Sequence, residues 1–115
     1  MSQGISVIVY PVKDIAAAKA LYGTFLGVEP YADAPYYVGY RIGDQEIGLA
    51  PSYHGQGVTG PICFRETDDI KRSLNALLEA GATTHEAIKD VGGGMLVASV
   101  KDVDGNVIGL RQSPG

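Results

Sequence analysis

The sequence has no tryptophan, one cysteine and two histidines among 115 residues. A lone Cys63 excludes an internal disulfide and any zinc site built on paired thiolates. Neither His54 nor His85 has a sequence neighbour that would fix its tautomer. Positive charge is thin and scattered. There are 9 basic against 13 acidic residues, a net charge of −4, and only Lys71 and Arg72 are adjacent. Nucleic-acid binding relies on a basic stripe that displaces counterions from phosphates, so that class is excluded. Long apolar runs are missing too, since none approaches the roughly 18 residues of a membrane span. The opening Met1-Ser2-Gln3-Gly4 lacks the basic and apolar regions of a secretory signal. The expectation is a cytoplasmic protein with neither a nucleic-acid nor a membrane partner.

What is present describes one globular domain over 1–115. Hydrophobic residues make up 45% and charged residues 19%, a composition that builds a core. Ile5 to Tyr10 is a β-branched run that reads as a strand, closed by Pro11. Asp14 is placed to cap a helix in which Ile15, Ala18, Leu21, Tyr22, Phe25 and Leu26 recur at helical spacing, with Gly27 as the stop. Tyr36 to Ile42 and Gln45 to Ala50 read as strands about a Gly43-Asp44 turn. The stretch 51–60 reads as a loop.

The order then repeats. Ile62 to Glu66 is a strand, and Asp68 or Asp69 caps a helix carrying Ile70, Leu74, Leu77 and Leu78, ending at Gly81. Strands follow over 83–91, 95–101 and 107–112, separated by Gly92-Gly93-Gly94 and Asp104-Gly105-Asn106. The letters repeat as well. Ile47-Gly48-Leu49 with Ser52 matches Ile108-Gly109-Leu110 with Ser113, at a constant offset (108 − 47 = 113 − 52 = 61). Asp14-Ile15 opens the first helix as Asp69-Ile70 opens the second. The fold class is therefore α+β, with one βαβββ module over 1–53 and another over 61–115.

Two glycine-rich segments resemble known sites only superficially. The run Asp102-Val103-Asp104-Gly105-Asn106 lacks the downstream glutamate of a calcium loop. The triple glycine is not followed by the lysine of a phosphate loop.

Three segments carry a resemblance. Val12-Lys13-Asp14-Ile15, Leu21-Tyr22 and Phe25-Leu26-Gly27-Val28 resemble the first strand and helix of glyoxalase I and bleomycin-resistance proteins. Gly81-Ala82 after the second helix fits the same pattern. The closing Lys101-Asp102-Val103-Asp104-Gly105-Asn106-Val107-Ile108-Gly109-Leu110 resembles that family's D-P-D-G-N-x-I-E-L ending, with Val103 in place of proline. The chain is thereby similar to the vicinal-oxygen-chelate superfamily along nearly its whole length. The resemblance implies paired modules, ligand clefts between them and a homodimer. It also implies a metal held by four His or Glu ligands, one from each of four strands. Carried over by position, those ligands fall on Val7, Gly48, Pro61 and Gly109, none of which can donate to a divalent ion. No metal or other cofactor is expected.

Strand alternation from those positions places Val7, Val9, Glu46, Gly48, Ala50, Cys63, Arg65, Gly109 and Arg111 around the vacant site. That set is mostly apolar. Arg65 and Arg111 either offer a planar donor fork to an acidic or carbonyl group, or are solvated strand ends or pair with Glu46 or Glu66. Tyrosines suit stacking on a flat ligand: Tyr36 and Tyr40 are expected on one strand face, Tyr37 on the other, with Tyr53 beyond the turn. Cys63 reads more simply as a small core residue. The expected function is metal-independent binding of an apolar or aromatic small molecule, with drug sequestration as one use. The alternative is a glyoxalase-like lyase or isomerase in which Glu46 or His54 acts as the base.

Overall fold

The computed structural model describes residues 4–115. Eight strands and three helices are found among them. In chain order these are β1 (Ile5–Pro11), α1 (Ile15–Leu26), β2 (Ala32–Ala34), β3 (Tyr37–Ile42), β4 (Gln45–Ala50), α2 (Pro51–Gly55), β5 (Ile62–Glu66), α3 (Ile70–Glu79), β6 (Thr83–Asp90), β7 (Leu96–Lys101) and β8 (Val107–Gln112). The order strand, helix, three strands occurs twice, in an α+β fold. The chain divides into two compact units. One takes Ser6–Ile62, and the other takes Cys63–Gly115 with Gly4 and Ile5.

In the first unit β1 runs parallel to β4, β4 pairs antiparallel with β3, and β3 with β2. α1 begins where the Asp14 carboxylate accepts from the backbone N–H of Ala16 and Ala17, both at 3.1 Å. It ends at Gly27, whose φ of 72° suits a residue without a side chain. One sheet face packs on this helix. Val38 and Tyr40 of β3 and Ile47 and Leu49 of β4 are buried there with Val12, against Ile15, Ala18, Tyr22 and Leu26.

The second unit has the same plan. β5 runs parallel to β8, which pairs antiparallel with β7, and β7 with β6. Of the two aspartates that could cap α3, Asp69 does so, accepting from Arg72 N–H at 3.1 Å. Ile70, Ala98 and Leu110 form the core, with Leu74, Leu77, Ile88 and Leu96 packed around it. Gln112 seals the helix start, its side-chain carbonyl accepting from Ile70 N–H at 2.7 Å. The Gly92-Gly93-Gly94 turn has positive φ at all three residues, a path that only glycine follows cheaply.

Two elements differ from the sequence expectation. β2 is a strand of three residues, too short to show periodicity. Pro51–Gly55 is a short helix where a loop was expected, because Pro51 at its first turn is pre-set for helical φ.

Candidate functional site

In the first unit, the sheet face turned away from α1 carries the chemistry. Alternation puts Val7 and Val9 of β1, Glu46, Gly48 and Ala50 of β4, and Tyr37, Gly39 and Arg41 of β3 on that face. Register aligns them, with Val7 beside Glu46 and Glu46 beside Arg41, then Val9 beside Gly48 and Gly48 beside Gly39. The paired glycines leave a trough in the sheet, and aromatic rings fill it. A Cβ at Gly48 would sit 2.6 Å from Tyr37 Cζ, and one at Gly39 would sit 2.9 Å from the rings of both Tyr31 and Tyr37. Close approach of a ring to the backbone is the reason for glycine here.

At the edge of that trough lies Glu46, buried at 6% exposure. A buried carboxylate requires partners, and three surround it. Tyr37 Oη donates to Oε2 at 2.7 Å. Tyr31 also hydrogen-bonds to it, and Arg41 lies 3.7 Å from Oε1. The Arg41 guanidinium is stacked 4.6 Å from the Tyr31 ring centre. Partial burial, and then the hydrogen bond and charge of Glu46, raise the Tyr31 pKa, while Arg41 opposes them. Tyr31 is half exposed, and so is the Arg41 side chain, so both can give way to a ligand more readily than Tyr37.

The second unit repeats the glycine device with different chemistry. A Cβ at Gly109 would lie 2.9 Å from Phe64 Cγ, with two further ring atoms closer still. Phe64 and Gly109 are partners in the β5–β8 register, and Ser99 of β7 is opposite Gly109. The Ser99 hydroxyl is buried with no hydrogen-bond partner among the described residues. Arg111 Nε donates to Glu66 Oε1 at 3.1 Å, and Ser113 N–H donates to Glu66 Oε2 at 2.7 Å. Burial alone would raise the Glu66 pKa. The Ser113 hydrogen bonds and Arg111 outweigh it and hold the carboxyl below its ordinary range.

Several expected site residues lie elsewhere. Pro61 precedes β5. Phe64 and Glu66, rather than Cys63 and Arg65, share a face with Gly109 and Arg111, while Cys63 and Arg65 align with Ile108 and Leu110. The expected register on β5 was therefore one residue out. Arg111 pairs with Glu66, one of the alternatives expected of it. Tyr40 is fully buried on the α1 side, its hydroxyl donating to the Lys19 carbonyl at 2.9 Å, so it does not line the Glu46 face. Tyr36 precedes β3 and is 76% exposed; Tyr37 is the tyrosine that meets Glu46. Tyr53 is half-buried and His54 exposed, both on α2. Arg41, Phe64 and Ser99 were not anticipated. The signal for Arg41 was its even spacing from Tyr37 along β3.

These residues do not fit the metal that the resemblance implies. Val7, Gly48 and Gly109 have no donor. Glu46 is taken up by Tyr37, Tyr31 and Arg41, and Glu66 by Arg111 and Ser113. Among the described residues, no three His, Cys, Asp or Glu side chains gather in a way that could hold an ion.

A model for the Glyoxalase/Bleomycin resistance protein/Dioxygenase superfamily matches residues 4–110, and the chain belongs to that superfamily. Among solved structures it is similar to a hypothetical protein from Bacillus halodurans C-125, at 14% identity, covering 97% of this chain and 95% of that one, with a TM-score of 0.77. Methylmalonyl-CoA epimerase from Mycobacterium tuberculosis is similar at 14% identity, 99% and 90% coverage and a TM-score of 0.76. A superfamily member from Vibrio splendidus 12B01 is similar at 17% identity, 92% and 95% coverage and a TM-score of 0.70. At these identities the likeness shows the fold alone. No curated protein matches the chain. Among the described residues, no helix is long and apolar enough to cross a membrane.

Proposed function

We propose that the protein binds an apolar or aromatic small molecule without a metal, on the Glu46 face of its first unit. The observation that carries this reading is a buried carboxylate beside the apolar Val7, Val9 and Ala50, held by two tyrosine hydroxyls and an arginine. A flat ligand bearing a hydroxyl, amine or amide N–H takes the place of the Tyr31 hydroxyl at Glu46. Its ring stacks on the tyrosines over Gly39 and Gly48. Arg41, exposed at the edge, receives a carbonyl or acidic substituent of the same ligand. Sequestering a drug is one task such a site performs.

The buried carboxylate also favours a second reading. Glu46 accepts a carbon-bound proton from a carbonyl compound and returns it to the product, an isomerase step that draws on this chain's own carboxylate. The structural likeness to an epimerase is a reason to test this reading. His54 is the second candidate for proton transfer.

Equilibrium dialysis against a panel of planar aromatic compounds, followed by tyrosine fluorescence and mass analysis of the recovered compound, tests both. Binding of an unchanged compound that weakens at least tenfold in Glu46→Gln supports the first. A product that disappears in Glu46→Gln or His54→Ala supports the second. No binding across the panel, or binding indifferent to Glu46→Gln, overturns the assignment of this face.

A further inference from the structure

The Glu46 carboxylate is matched incompletely by Arg41. The Glu46 side chain is 8% exposed, whereas that of Arg41 is 61% exposed and stands 3.7 Å from Oε1. A charge-assisted hydrogen bond between such groups is about 2.7–2.9 Å long, so a gap remains. Glu66 in the second unit has no such gap, with Arg111 Nε at 3.1 Å and Ser113 N–H at 2.7 Å. A buried negative charge that is only partly compensated favours a closer cation. Arg41 marks where that cation fits. Its guanidinium carbon is 4.6 Å from the Tyr31 ring centre, within the range of a cation–π contact. Tyr31 is held there by its own backbone, whose N–H donates to the Gly39 carbonyl at 2.9 Å. A side chain at Gly39 would push the ring away. A flat cationic group therefore meets an aromatic face and a carboxylate together, at an edge open to water.

Resting on the assignment of this face to a small-molecule ligand, we infer that the ligand is a planar organic cation, an amidinium or a guanidinium, and that Arg41 is its internal stand-in. An amidinium aims two parallel N–H groups at the carboxylate. One replaces the Tyr31 hydroxyl and the other replaces Arg41. The plane of the cation stacks on the Tyr31 ring as the Arg41 guanidinium does. Arg41 then turns to water, free to meet an acceptor elsewhere on the ligand. Because Arg41 competes for the same place, it lowers the apparent affinity in proportion to its occupancy. That competition also sets specificity. A neutral compound of the same shape brings no charge to Glu46 and does not displace the arginine, whereas a cation does.

Titration calorimetry of the full chain with benzamidine and benzamide tests this, since the two share a shape and differ in charge. On the wild type, benzamidine is expected to bind at least about tenfold tighter, a comparison that needs no variant to fold. Arg41→Gln removes the competitor and is expected to tighten benzamidine at least about threefold, the reverse of what losing a ligand-holding arginine would do. In Glu46→Gln the preference for the cation is expected to vanish. Equal affinity for the two compounds in the wild type, or weaker benzamidine binding in Arg41→Gln, overturns the inference. Benzamide binding as tightly as benzamidine, with both lost in Glu46→Gln, would overturn the cation alone and leave the Glu46 face as a site for neutral ligands. Binding of neither compound would overturn both.

Discussion

The two units use the same backbone device and place different rings upon it. In the first, Gly48 lies under Tyr37, a half-buried ring whose hydroxyl is anchored on Glu46. In the second, Gly109 lies under Phe64, which is 4% exposed and has no polar handle. A glycine beneath an aromatic ring is a packing solution in both. The first ring is only half-buried, and its hydroxyl is held by a carboxylate. The second has nowhere to go and supplies stability. Repetition of a fold therefore does not carry repetition of a site: one face anchors a tyrosine hydroxyl on its carboxylate, while on the other the carboxylate is paired with Arg111 and the ring beside it is apolar.

The sharpest way to break this comparison is to add a methyl group at each glycine. Gly109→Ala is expected to cost about 3 kcal/mol, because a buried ring must shift against a packed core. Gly48→Ala is expected to cost about 1 kcal/mol, because Tyr37 can rotate towards solvent. Chemical denaturation of the two variants measures the difference, and equal losses would mean that both rings are equally fixed. Phe64→Leu combined with Gly109→Ala should lose less than the sum of the two single changes, since the ring is what the methyl meets.

The helix starts offer a finer comparison. Asp14 accepts from two backbone N–H groups and Asp69 from one. Asp14→Ala is expected to cost about 1 kcal/mol and Asp69→Ala about half that, as read in thermal melts.

The smallest effect concerns acid. The folded-state pKa of Glu66 lies below its ordinary value of 4.5. Its contribution is therefore complete above about that pH and is lost as pH falls through the folded value. Stability measured from pH 3 to 7 should fall less steeply on the acid side in Glu66→Gln than in the wild type. An unchanged acid limb would mean that the contacts with Arg111 and Ser113 do not hold this carboxyl.

Most of the fold was legible because its signals are local and repeated: apolar spacing in α1 and α3, capping aspartates, glycine turns and the matched Ile-Gly-Leu segments. The site was legible in part. Glu46, Gly48 and Val7 fall on one face because alternation from a correctly placed strand is reliable. β5 was misread because its register was taken from a family position at Pro61. Its own letters pointed the other way, with Ile62 and Phe64 apolar and Arg65 charged between strand ends. The tyrosines were misassigned because alternation shows which residues share a face but not which face meets the helix. Gly39 and Gly48 held that answer, since they open room only on the side of Tyr37. The burial of Ser99 without a partner depends on packing across strands, which no single segment encodes.

The rings over Gly48 and Gly109 also constrain how this chain can change. A carboxylate or imidazole placed at either position by one substitution meets an aromatic ring before it meets any ion. Gaining a metal-binding side chain there requires the ring to shrink first. Tyr37 would leave Glu46 short of a donor, and Phe64 would leave a hole in the core. Each first step is costly in isolation, and its benefit appears only after the second. The two glycines thus work as a ratchet on sequence change, because a donor side chain at either position needs two substitutions rather than one.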